Sequence, residues 1–141
     1  MADYRLDGQD EYPHAPDKVE TFNESVYANG FDSKQRVGGW MRLGNRVNEG
    51  YAELSVCLYL PDGRIACQFR RPKIAGNDAF EAGGLSYRIE DPFRRLAMHY
   101  DGEVMLVDHP DQLREPESGL KNVPRVPARV HWRLEGFSPM H

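Results

Sequence analysis

This sequence predicts an all-β domain of about eight antiparallel strands, arranged as a barrel or a sandwich. Three observations point there. Turn signals recur about every ten residues after an irregular start: Asn29-Gly30, Gly38-Gly39, Asn48-Glu49-Gly50, Pro61-Asp62-Gly63, Gly83-Gly84 and Asp101-Gly102. Apolar and polar residues alternate with period two in the clearest segments. No segment carries a long period of 3.6 residues between helix caps.

The elements follow in chain order. Residues 1–20 are polar, carry Pro13 and Pro16, and read as an irregular arm; residues 21–141 form the β domain. Strands are expected over residues 24–28 and 37–43. The strongest element spans residues 51–71. Leu54, Val56, Leu58 and Leu60 alternate with polar neighbours; beyond Pro61-Asp62-Gly63-Arg64, Ile65, Cys67 and Phe69 do the same. Asp62-Gly63 is a strong two-residue hairpin signal, because both central positions of a type I′ turn need positive φ. That loop sets Leu60 opposite Ile65, Leu58 opposite Cys67 and Val56 opposite Phe69, one apolar face. Cys57 and Cys67 then point to opposite faces and cannot bond within the hairpin. They read as reduced cysteines packed as small hydrophobes.

Short helical turns are expected near residues 77–82 and 111–113. Strands follow at 85–90, 96–100 and 103–107. Residues 108–127 are proline-rich and read as a long surface connection. The last strand alternates cleanly: Ala128, Val130, Trp132 and Leu134 face one way, and Arg129, His131, Arg133 and Glu135 the other.

Length and charge bound the function. A chain of 141 residues is one ordinary domain and can bury a core without disulfides. A net charge of −4, with lysine and arginine dispersed, argues against a nucleic-acid partner. No apolar run approaches the roughly 18–20 residues of a membrane span, and the charged N-terminus lacks a signal-peptide core. A cytoplasmic location is the expectation.

The chemistry is sparse. The five histidines are scattered and no metal-ligand spacing occurs, so no metal site is expected. There is no P-loop, nucleophile elbow or dinucleotide fingerprint. The densest polar stretch runs from Gly38 to Glu53. Trp40 and Arg42 share a strand face there, with Asn45 nearby; a ring beside a guanidinium can hold the polar end of an apolar ligand. Glu49 and Glu53 are the carboxylates best placed as acid or base. The alternative is a solvated hairpin with surface ion pairs. Tyr27, beside Ser25 on one strand face, is a second ligand-binding candidate. Asp78, Phe80 and Glu81 could line a barrel mouth or form a plain loop.

Several stretches carry a resemblance: Asn23-Glu24-Ser25-Val26-Tyr27, the run from Gly39 to Arg46, Asn48-Glu49-Gly50-Tyr51-Ala52-Glu53, the run from Leu58 to Arg64, and Phe137-Ser138-Pro139-Met140. They resemble uncharacterised bacterial proteins similar to the carotenoid 1,2-hydratase (hydroxyneurosporene synthase) superfamily. The resemblance implies a lipocalin-like fold, the first of two tandem barrel domains, with an apolar pocket in or between them. It implies as partners an apolar small molecule and a second lipocalin-like domain or a second copy. It transfers no catalytic residue. Two functions stay open: an apolar-ligand domain, as part of a hydratase, isomerase or cyclase needing no cofactor, or a non-enzymatic interaction module with a filled interior.

Overall fold

A computed structural model describes residues 6–138 of the chain. Pro139 and Met140, which carry part of the resemblance, lie outside the described residues. The described residues form eight strands: β1 (Glu24–Asp32), β2 (Val37–Arg46), β3 (Tyr51–Tyr59), β4 (Ile65–Arg70), β5 (Phe80–Ala82), β6 (Leu85–Asp91), β7 (Arg95–Val107) and β8 (Arg125–Glu135). They make one antiparallel sheet in the order β1-β2-β3-β4-β7-β6-β5, with β8 paired to β7. Among the described residues, β1 pairs only with β2 and β8 only with β7, and the sheet is not closed into a barrel.

The sheet curls around one large core. Ala28, Met41, Leu43, Ala52, Leu54 and Val56 project from β1–β3 and meet Phe80, Leu85, Met98, Tyr100 and Val104 from β5–β7. Alternate residues of β8, from Val126 to Leu134, lie against the same core. The β8 alternation therefore orients that strand as the sequence predicts.

The β3–β4 hairpin departs from the expected register by one residue. Tyr59 pairs with Ile65, Cys57 with Cys67 and Ser55 with Phe69. The cause lies in the loop. Gly63 N donates to Leu60 O and Leu60 N to Arg64 O, both at 3.0 Å, which encloses three residues rather than two. Gly63 has φ +89, whereas the only non-glycine residues with positive φ among those described are Arg36 and Phe93. Asp62 thus keeps negative φ, which excludes the type I′ turn. Pro61 is preset for the first central position of a type I turn, and Gly63 supplies the left-handed residue that follows it. Asp62 Oδ1 accepts from Arg64 N at 3.0 Å and fastens the loop.

This register overturns the expected faces of β4. Ile65, Cys67 and Phe69 lie on the outer face with Cys57, while Ala66 and Gln68 face the large core. Cys57 and Cys67 are direct cross-strand neighbours on one face, not residues of opposite faces. Gln68 is accommodated inside because its Nε2 donates to Glu103 O at 2.8 Å and its Oε1 accepts from Phe69 N at 3.1 Å.

The strand count of eight arises differently from the expectation. Asp101-Gly102 is not a turn: β7 runs straight through it, with Asp101 paired to Arg129 and Gly102 to Ala128. Gly102 serves a close approach instead. A Cβ there would stand 2.6 Å from Tyr100 Oη, whose hydroxyl donates to Glu103 O at 2.7 Å. Residues 80–82, expected as a helical turn, form the short strand β5. Asn29-Gly30 and Gly38-Gly39 likewise sit inside β1 and β2, and the intervening turn spans residues 33–36.

The proline-rich connection is partly structured. A 3-10 turn at Pro110–Arg114 and one helical turn, α1 (Pro116–Gly119), bring Leu113, Leu120 and Val123 onto the outer face of the sheet. There they cover Cys57, Ile65, Cys67, Met105 and Val107, a second, smaller core. Among the described residues, no helix is long and apolar enough to cross a membrane.

Candidate functional site

Alternation along β1, β2 and β3 decides where the predicted site residues go. Tyr27, Arg42 and Ser55 stand in one cross-strand row on the outer face, with Trp40 in the next. Trp40 lies between Tyr27 and Phe69, with ring centroids 6.2 Å from each. Arg42 Nη1 donates to Glu53 Oε2 at 3.2 Å. Arg46 Nη1 donates to Glu49 Oε2 at 3.2 Å, and Arg46 and Arg71 each approach Glu53 to 3.7 Å. The guanidinium of Arg71 also lies 5.3 Å from the centre of the Tyr51 ring.

Arg42 and Glu53 therefore meet directly, Glu49 joins them only through Arg46, and Trp40 lies further along β2 with Tyr27 and Phe69. The concavity here is a shallow trough of about 390 Å³ lined by Arg42, Glu53, Ser55, Phe69 and Arg71 among others. Glu53 is shared by three arginines, Arg42 and Arg46 of β2 and Arg71 just after β4. That geometry ties neighbouring strands together on a solvated face.

Asn45 is separated from this group by parity. It lies on the inner face and is buried, with Nδ2 donating to Asn77 Oδ1 and to Ala79 O, each at 2.9 Å. Asn77 Nδ2 donates in turn to Glu24 Oε2 and His14 O, each at 2.8 Å. His14 is bonded to Glu24 through both its backbone N–H and its ring Nδ1. Asn45 is thus one end of a polar relay that fastens the N-terminal arm to the sheet. Its Oδ1 has no hydrogen-bond partner among the described residues. Phe80 packs in the large core rather than at a barrel mouth.

A larger concavity lies elsewhere, where the sheet fails to close. It holds about 620 Å³ and is bounded by β1, β2, the end of β3 and β8. Its apolar lining includes Phe31, Val37, Leu58, Leu60, Trp132 and Leu134, and Arg129, His131 and Arg133 stand on β8 beside it. Arg129 is held by Asp101 at 2.9 Å. The sequence places Leu58, Leu60, Trp132 and Leu134 on apolar faces and leaves open whether those faces line a cavity or a filled core. Alternation marks a face as apolar without saying what covers it.

Two further juxtapositions were invisible in the sequence. His99 and His131 are cross-strand partners on β7 and β8, with ring centroids 5.7 Å apart. They do not make a metal centre: among the described residues, no group of three or more histidine, cysteine, aspartate or glutamate side chains could hold a metal ion. Cys57 and Cys67 meet in the smaller core. Burial, and secondarily the neighbouring Cys67, push the Cys57 thiol up to about 11.

No curated protein and no solved structure matches the chain. Residues 7–141 match the family model DUF7064, described as a domain of unknown function, and the chain belongs to that family.

Proposed function

We propose that this domain binds an apolar small molecule in the groove between β8 and the β1–β3 edge of the open sheet. The groove itself carries the reading. Its volume of about 620 Å³ falls within the usual range for small-molecule sites, roughly 300–1,000 Å³. Its wall is apolar, formed by Phe31, Val37, Leu58, Leu60, Trp132 and Leu134. The location differs from that of a closed lipocalin-like barrel. Here the interior is filled, with Met41, Leu43, Leu54, Leu85, Met98 and Tyr100 each no more than 1% exposed. The resemblance to the carotenoid 1,2-hydratase superfamily supports an apolar ligand. No reaction is assigned, because Glu49 and Glu53 lie in outer-face ion pairs away from the groove.

The filled interior supports a second reading, a non-enzymatic interaction module whose free β1 and β8 edges meet a partner domain or a second copy. Fluorescence separates the two. In a Trp40→Phe protein the remaining tryptophan, Trp132, reports on the groove. Long-chain fatty acids and isoprenoid acids should shift and quench its emission at micromolar concentration, and Leu58→Arg should abolish the change. No response to either ligand class, from a protein that light scattering shows to self-associate, would replace ligand binding with the interaction reading.

A further inference from the structure

We propose that Cys57 and Cys67 form a reversible disulfide site, oxidised by exchange with a low-molecular-weight disulfide of the glutathione class. The register carries this. Cys57 on β3 and Cys67 on β4 are paired directly, on the same face. Ala52 N donates to Pro72 O and Leu60 N to Arg64 O. Hydrogen-bonded pairs alternate along an antiparallel ladder, so these two bonds make the 57–67 pair a non-hydrogen-bonded one. In such pairs the Cα atoms stand about 4.5 Å apart and the side chains lean together, within the Cα window of roughly 4.4–6.8 Å that a disulfide needs. Both thiols are free and buried.

The covering segment controls access. Leu113, Leu120 and Val123, together with Trp40 of β2, pack against the small core that holds the pair. Burial raises both thiols, so the reactive thiolate is scarce while the cover is closed. Exchange therefore proceeds when residues 110–123 lift. One cysteine thiolate attacks the glutathione disulfide, forming a mixed disulfide and releasing one glutathione thiolate. The second cysteine thiolate attacks the protein-side sulfur and releases the second glutathione. One S–S bond forms and one breaks. The protein loses two electrons and two protons, and the glutathione disulfide gains them. The resulting bond locks the observed β3–β4 register, because a one-residue slip would turn the two side chains to opposite faces.

The test uses the full chain in native buffer across a series of reduced-to-oxidised glutathione ratios, quenched by alkylation and read by intact mass and peptide mapping. The expected product is a species about 2 Da lighter than the reduced protein, with the Cys57 and Cys67 peptides linked. It should form faster in Leu120→Ala, whose cover is loosened. Cys57→Ala and Cys67→Ala, each checked for fold by circular dichroism, should stop at the mixed disulfide. Two results would overturn the proposal. One is wild-type protein that retains both thiols under ratios that close the bond in urea. The other is wild-type protein that accumulates mixed disulfide without closing the bond.

Discussion

The two faces of β2, β3 and β4 are buried by different means. On the inner face, Met41, Leu43, Leu54 and Val56 are sealed by strands from the opposite half of the chain, and none is more than 1% exposed. On the outer face, only one end is sealed. The segment from Pro110 to Val123 covers Cys57, Ile65, Cys67, Met105 and Val107. The other end stays open to solvent with Tyr27, Phe69 and the Arg42–Glu53 pair. The inner seal depends on the whole sheet curling. The outer one depends on a short irregular segment, whose hydrogen bonds to the sheet include Leu106 N to Pro124 O at its far end. Regions covered by a few apolar contacts open at lower free energy than a strand-sealed core. One sheet thus carries a global core and a local one.

Three substitutions grade that contrast. Leu54→Ala opens a cavity in the inner core and should cost about 2–5 kcal/mol, read from urea denaturation. A smaller loss would mean that the two faces are not so different. Leu120→Ala removes part of the cover. It should cost about 1–2 kcal/mol, because Leu120 is only half-buried. Hydrogen exchange should accelerate through residues 110–123 while the amides of β2 stay protected. Acceleration spread evenly over the sheet would show that the outer core does not open by itself. Glu53→Gln acts at the open end and should cost less than about 1 kcal/mol, with the difference shrinking in high salt, as for other exposed ion pairs. A loss comparable to that of Leu54→Ala would show that the arginine cluster is structural rather than a solvated tie.

Much of the fold was legible because it is local. Val126 to Leu134 alternate without ambiguity, since one face of β8 meets the core and the other meets water. The β3–β4 hairpin was legible as a hairpin but not in register. Its β4 residues from Ile65 to Gln68 are all buried, so the pattern of β4 does not choose between faces. The choice fell to whether Asp62 or Pro61 opens the turn. Gly102 looked like a turn residue and proved to be a space-maker for the Tyr100 ring. Arg42 and Glu53 could be grouped from spacing because they lie on adjacent strands, and Glu49 because it sits in the short turn between those strands. Asn45 could not be excluded from them without knowing that β2 keeps one parity up to Arg46.

By itself, then, the sequence determined the antiparallel β class, the β8 face and the proximity of Arg42 and Glu53. Each depends on side-chain alternation or on turns between adjacent strands, interactions spanning at most about a dozen residues. Only the tertiary structure decided that the sheet stays open, that its interior is filled, that a groove lies between β1–β3 and β8, and that Cys57 faces Cys67. Those features depend on contacts between residues far apart in the chain and on a one-residue choice of register. A period-two pattern is equally compatible with either choice when both faces of a strand are buried.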